Sequence, residues 1–169
     1  MKKALLLFLV ITFGVMTNSW SQLAKIKSVF LLNFAKNTGW PDSGSQGSTF
    51  VITVIGDKEI STELEALAKI KQINGKTLVV NRVKQLKEIE PSQIIFLGSS
   101  KSSLMSALNS NQKKNPVLLI SDKSGLYSKG AGICFIVVNG KLRFEIKPEN
   151  IERRGLSVSS KLISLGIKK

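Results

Sequence analysis

Histidine is missing from all 169 residues, and cysteine occurs once, at Cys134. Without histidine, neither a Ser-His-Asp nor a Cys-His catalytic arrangement can be assembled, and the usual zinc ligand sets go with them, so no metal site is expected. A lone thiol cannot close an internal disulfide in a monomer, even where an oxidising compartment would permit one. Long apolar runs are scarce too. The run from Ala4 to Val15 is shorter than the roughly 20 residues a membrane span requires. It follows the basic start Met1-Lys2-Lys3 and gives way to polar Thr17-Asn18-Ser19, the layout of a secretory signal peptide. Ser19 and Ser21 supply small residues at the minus-three and minus-one places, so cleavage is expected before Gln22, giving a leader of residues 1–21 and one exported domain of residues 22–169. A retained N-terminal anchor is the alternative. No cysteine follows the apolar run, so no lipid attachment is indicated.

Acidic residues are the remaining shortage: 11 Asp and Glu stand against 25 Lys and Arg, a formal net charge of +14. Loss of Lys2 and Lys3 with the leader would leave the domain strongly basic. A basic surface raises the question of nucleic acid. Export argues against it, the lysines are scattered rather than gathered into an arm, and no aromatic-rich binding strand is present. The charge suits an acidic partner, an anionic envelope surface, or simple solubility.

Of what is present, Leu23, Ile26, Phe30 and Phe34 recur at helical spacing, so an amphipathic first helix is expected. It should stop before TGWPDSGSQGS, with Trp40 at the mouth of that loop. FVITVI (50–55) reads as a buried strand, and the helix after it as opening on Thr62 and Glu65 in capping-box spacing. TLVVNRV (77–83), QIIFLG (93–98), a helix around SLMSAL (103–108) and PVLLIS (116–121) continue the alternation. The expectation is one three-layer α/β domain with a mostly parallel sheet and flanking helices.

The hairpin ICFIVVNGKLRFEI (133–146) is the sharpest local signal, because Asn139-Gly140 between two β runs specifies a two-residue type I′ turn. That turn sets Val138 opposite Lys141, Ile136 opposite Arg143 and Cys134 opposite Glu145. One face is then wholly apolar, and the other places Cys134, Ile136 and Val138 beside Glu145, Arg143 and Lys141. The last helix is the expected cover of this mixed face, with Arg143 and Glu145 pairing with each other or reaching that cover.

The chemistry-bearing patterns fail one after another. Val158 stands where a serine–lysine site would need its nucleophile, three before Lys161. Ile70 and Phe135 stand where a phosphate loop would need glycine before Gly75-Lys76 and Gly140-Lys141. GAGICF (130–135) lacks the third glycine of a dinucleotide fingerprint, so no cofactor is expected. Asp57 and Asp122 follow two strands, where α/β proteins collect ligands, and read either as a cation or acid–base pair or as caps of the next turn. In ERRGLSVSSKLI (152–163), Ser157 reads as the N-cap of a final helix. The amides of Ser159 and Ser160, with Arg153 and Arg154 adjacent, alternatively read as a cradle for a small anionic ligand.

The ordered segments FLLNFAKNTGWP, VIGD, INGKTLVV, IIFLGSS, PVLLISD, GAGICFIVVNGKLRFEI and RRGLSVSSKLISLG resemble the YfiR/HmsC-like exported proteins over about residues 24–166. The resemblance implies a periplasmic, non-enzymatic α/β regulator without a cofactor. Its partner would be the periplasmic sensor domain of an inner-membrane protein, a diguanylate cyclase that it represses or a sensor kinase. Homodimerisation is implied in the same way. Disulfide switching known in such proteins does not carry over to a chain whose Cys134 is alone. Trp40, Arg143, Glu145 and Lys161 are the candidate partner contacts.

Overall fold

The computed structural model describes residues 16–41 and 47–169, with only the backbone given for Met16 to Trp20. The expected leader lies mostly outside them. Helix α1 spans Met16–Lys36. It leads into β1 (Thr38–Gly39), then β2 (Thr49–Ile55), α2 (Lys58–Ala68), β3 (Gln72–Ile73) and β4 (Lys76–Val83). A short 3-10 turn precedes β5 (Ile94–Leu97); a second, Ser99–Leu104, runs into α3 (Met105–Asn111) and β6 (Leu118–Ser121). A third 3-10 turn, Leu126–Lys129, precedes the hairpin β7 (Ile133–Val138) and β8 (Lys141–Ile146). The chain closes with α4 (Pro148–Glu152), β9 (Ser157–Val158), α5 (Ser160–Leu165) and β10 (Ile167–Lys168).

Eight strands form one sheet in the order β10-β8-β7-β6-β5-β2-β4-β3, and β1 pairs antiparallel with β9 in a small ribbon beside it. The run from β4 through β7 is parallel throughout, as expected for strands buried on both faces. The hairpin has the register the Asn139-Gly140 turn specifies, with both turn residues at positive φ.

Alternation along each strand feeds two cores. Ile52, Val54, Phe96, Ile120, Phe135 and Phe144 point to the side carrying α1, α2, α4 and α5. Ile55, Ile95, Leu97, Leu119 and Cys134 point to the side carrying α3 and the third 3-10 turn. This is a three-layer α/β domain. The first core is anchored by rings: Phe34 of α1 lies 4.9 Å from Phe144 and 5.8 Å from Phe135, centroid to centroid, and Phe30 lies 6.0 Å from Phe144 and 5.9 Å from Phe135. Edge-to-face and tilted arrangements of this kind add about 0.5–1.5 kcal/mol per pair beyond area burial.

Four local expectations are corrected. α1 buries Ala24, Ser28, Leu31, Phe34 and Ala35, while Ile26 is 41% exposed, so the core-facing stripe is rotated from the one the spacing suggested. α2 starts earlier than its Thr62–Glu65 pattern, because Asp57 caps it by accepting the Ile60 amide at 2.9 Å. Ser159, not Ser157, caps α5, because Ser157 is drawn into the ribbon opposite Gly39. The last helix covers the other face of the hairpin: Leu162 of α5 joins the core with Phe135 and Phe144, away from Arg143.

Phe34 is fully buried among the rings of Phe30, Phe135 and Phe144. Phe34→Ala is expected to lower the unfolding free energy by about 3–5 kcal/mol in urea titration. A loss below about 1 kcal/mol would mean that α1 is not anchored through this cluster.

Candidate functional site

The strand order reverses between β2 and β5. Their connections leave on opposite faces, which opens a crevice at the carboxyl ends of the strands, the usual ligand position in such sheets. The crevice has a volume of about 340 Å³ and is lined by Lys27, Gly56, Asp57, Ser99, Ser100 and Asp122, among others. Its floor is tight. Gly98 donates its amide to the Ile55 carbonyl at 2.8 Å, and a β-carbon at Gly98 would come 2.7 Å from the Gly56 oxygen. Gly56, at φ +76°, turns the chain away so that Asp57 can reach the α2 cap.

The two aspartates singled out in the sequence are both here, in separate employment. Asp57 caps α2. Asp122 accepts an ion pair from Lys27 of α1 at 2.5 Å, and both side chains are nearly buried. Lys27 was the residue the pattern missed: by spacing it belongs to the polar stripe of α1, and only the docking of that helix over the strand ends shows what its ammonium meets. Burial raises the Asp57 carboxyl above its ordinary value of 3.8, with the Asp122 charge adding to the rise, against the Ile60 amide and Lys27. The crevice therefore has its own resident cation and cap. Among the described residues no cluster of three or more His, Cys, Asp or Glu is placed to hold a metal ion.

The cradle expected at the chain's end is divided. Arg154 donates to the carbonyls of Gln112 at 2.6 Å and Asn109, and to the Asn109 side chain, so it closes the carboxyl end of α3. Arg153 is exposed and donates to the Glu149 carbonyl. Both arginines line a cavity of about 350 Å³ with Asn109, Lys113 and Asn150. Ser159 and Ser160 do not line it: the Ser159 amide, expected free, donates to the Asn37 carbonyl at 3.0 Å, and Ser160 is exposed.

The four candidate partner contacts also separate. Glu145 is buried; it accepts the Gly125 amide at 2.9 Å and pairs with Lys169 at 3.3 Å, so it pairs neither with Arg143 nor with the last helix. Lys161 is exposed on α5, on the opposite side of the sheet from Arg143. Trp40 is half-buried at the far end of the sheet, edge-on to Phe50 at 5.1 Å, and lines a third cavity of about 270 Å³. Its indole nitrogen and the Thr38 hydroxyl are buried without hydrogen-bond partners among the described residues, a state that costs about 1–3 kcal/mol for each such group.

Arg143 remains, exposed on the distal half of the hairpin. That half stands clear of the sheet. β6 pairs with β7 only at Ile133 and Cys134, and β10 pairs with β8 only at Glu145 and Ile146, so Phe135–Val138 and Lys141–Phe144 have no outer strand neighbour among the described residues. Val137 is 62% and Val138 37% exposed there. Unpaired edges with exposed β-branched residues are where a second chain can add.

Fold and surface together define a small α/β domain whose strand-end crevice holds an internal ion pair and whose hairpin exposes Val137 and Val138. The chain belongs to the YfiR/HmsC-like family, whose model matches residues 24–167. No curated protein matches it. The family is regulatory and non-catalytic, and membership supports a regulatory role in the cyclic-di-GMP pathway in general, in a family associated with periplasmic proteins and with sensor partners. Among the described residues no helix is long and apolar enough to cross a membrane.

Two outcomes follow from this geometry. Because the folded Asp57 carboxyl titrates above 3.8, the folded protein holds that proton more tightly than the unfolded chain. The stability linked to it is complete below 3.8 and is lost as pH rises through the raised value. Asp57→Asn keeps the cap acceptor and removes the ionisation, so the melting temperature of the variant should gain on that of the wild type as pH rises above 3.8; parallel profiles would contradict this. Burial pushes the Cys134 thiol up to about 12, and the residue is 1% exposed. Iodoacetamide should therefore label it only after unfolding. Rapid labelling of the native protein would contradict this.

Proposed function

We propose that this protein is a periplasmic repressor that docks, through the distal half of the β7–β8 hairpin, on the periplasmic sensor domain of an inner-membrane signalling protein. A diguanylate cyclase is the partner to which the family resemblance points. The observation that carries the docking reading is the hairpin itself: two unpaired strand edges, exposed Val137 and Val138, and a flanking Arg143 and Lys141. Apolar side chains supply the area, the edge amides and carbonyls supply strand pairing, and the cations select an acidic partner. The formal charge of +14 favours the same kind of partner. Lys161 and Trp40 lie elsewhere on the surface and would belong to a second contact, if the partner wraps the domain.

The anionic-ligand reading now rests on the cavity of Lys113, Arg153 and Arg154. Saturable thermal stabilisation by inorganic phosphate, lost in Arg153→Glu, would favour it.

The test of docking is a crosslinked pull-down of the tagged full-length protein from its own cell envelope, comparing wild type with Val137→Asp and Arg143→Glu. Both positions are exposed, so urea unfolding should shift by no more than about 0.5 kcal/mol. Wild type should recover one membrane sensor and the variants at least about tenfold less, the effect of losing roughly 1.4 kcal/mol at a docking contact. Equal recovery by all three would remove the hairpin from the interface.

A further inference from the structure

The cavity beside Trp40 lies apart from the docking hairpin. It lies at the amino ends of the parallel strands, between the β1–β9 ribbon and the β3–β4 turn, and its walls include Trp40, Phe50 and Ile73 with Thr38, Asn74 and Gln93. Its volume, about 270 Å³, suits a small molecule. Three independent observations point to an occupant. Trp40, Phe50 and Ile73 give the cavity an apolar side, Trp40 and Phe50 meeting edge to face at 89°. Thr38 is only 4% exposed, yet its hydroxyl has no partner among the described residues. The Trp40 indole nitrogen, on the same wall, is also buried and unpartnered. Neither atom is open to water, so solvent does not satisfy them. A native fold rarely leaves two such groups together unless something else bonds to them.

We propose that this cavity binds a small molecule with an apolar body and a hydrogen-bond-accepting head, a carboxylate or a carbonyl, that bonds to the Trp40 indole and the Thr38 hydroxyl. The direction of the bonds sets the chemistry. An indole N–H only donates, so the head must accept; the hydroxyl can donate alongside it. The apolar body lies against Trp40, Phe50 and Ile73. An excess of 25 Lys and Arg over 11 Asp and Glu disfavours a cationic head. Both polar atoms sit behind the cavity surface, so entry requires a small turn of the Trp40 ring, which is half-buried and held chiefly by the edge of Phe50. Binding here is independent of the hairpin: it can hold whether or not the hairpin is the docking surface.

The experiment is a titration of the full-length protein followed by the indole N–H resonances in proton–nitrogen correlation spectra, with Trp40→Phe used to distinguish Trp40 from Trp20. The probes are cyclohexanecarboxylate, its primary amide, and methylcyclohexane, which are alicyclic and so add no ring-current shift. Thr38→Val replaces an unpartnered buried hydroxyl with a methyl group and should fold at least as well as the wild type. Expected is a saturable downfield shift of the Trp40 indole proton with the carboxylate or the amide, little or none with methylcyclohexane, and about tenfold weaker binding in Thr38→Val. No saturable shift with either headed probe overturns the proposal. So does equal binding of methylcyclohexane, or unchanged affinity in Thr38→Val.

Discussion

The fold depends on how α1 is clamped across the sheet. Phe30 and Phe34 lie against Phe135 and Phe144 of the hairpin, Phe96 extends the ring cluster to the middle of the sheet, and Lys27, three residues before Phe30 on the same helix, is paired with Asp122. One helix thereby ties the hairpin to the carboxyl end of β6. The ring cluster supplies the larger share, since each buried phenylalanine removes enough apolar surface to stabilise by about 1.5–3 kcal/mol. A nearly buried ion pair adds little net stability when intact but is costly to break, so its main effect is to fix the register of the helix over the strand ends.

Two functional consequences follow from that clamp. Laying α1 over the switch-point crevice puts an ammonium group where an open α/β sheet would bind its ligand, which is why Asp57 and Asp122 serve as cap and counter-ion. The clamp grips the hairpin at Phe135 and Phe144, and the outer half of β7 and β8 is left without outer strand neighbours among the described residues. Charged Lys141 and Arg143 on that hairpin disfavour indiscriminate edge pairing; under the docking proposed above, a partner would bring complementary charge as well as a strand.

Short-range physics was legible in the chain. The Asn139-Gly140 turn dictated the hairpin register residue by residue, and alternation of β-branched strands with helices was enough to foresee a layered, mostly parallel sheet. Asp57 and Asp122 were correctly located at strand ends, although their roles depend on partners from elsewhere. Long-range partners were not legible. Nothing in its spacing distinguishes Lys27 from Lys25, and Glu145 was assigned to Arg143 or the last helix when Lys169 and the Gly125 amide hold it. Ser157 has the composition of a helix cap, but strand pairing with Gly39 outbid it and passed the cap to Ser159. The cavity beside Trp40 was invisible for the same reason, since its walls come from β1, β2, the β3–β4 turn and the start of β5.

The central claim is that the projecting hairpin transmits repression to a cyclic-di-GMP-producing partner. Its most direct test is the intracellular cyclic-di-GMP level in cells lacking this protein, complemented with wild type or with Val137→Asp at matched envelope abundance. The account predicts that wild type lowers the level and that the variant leaves it as high as in uncomplemented cells. An equal reduction by both proteins would contradict it, and would place the regulatory contact on another face of the domain.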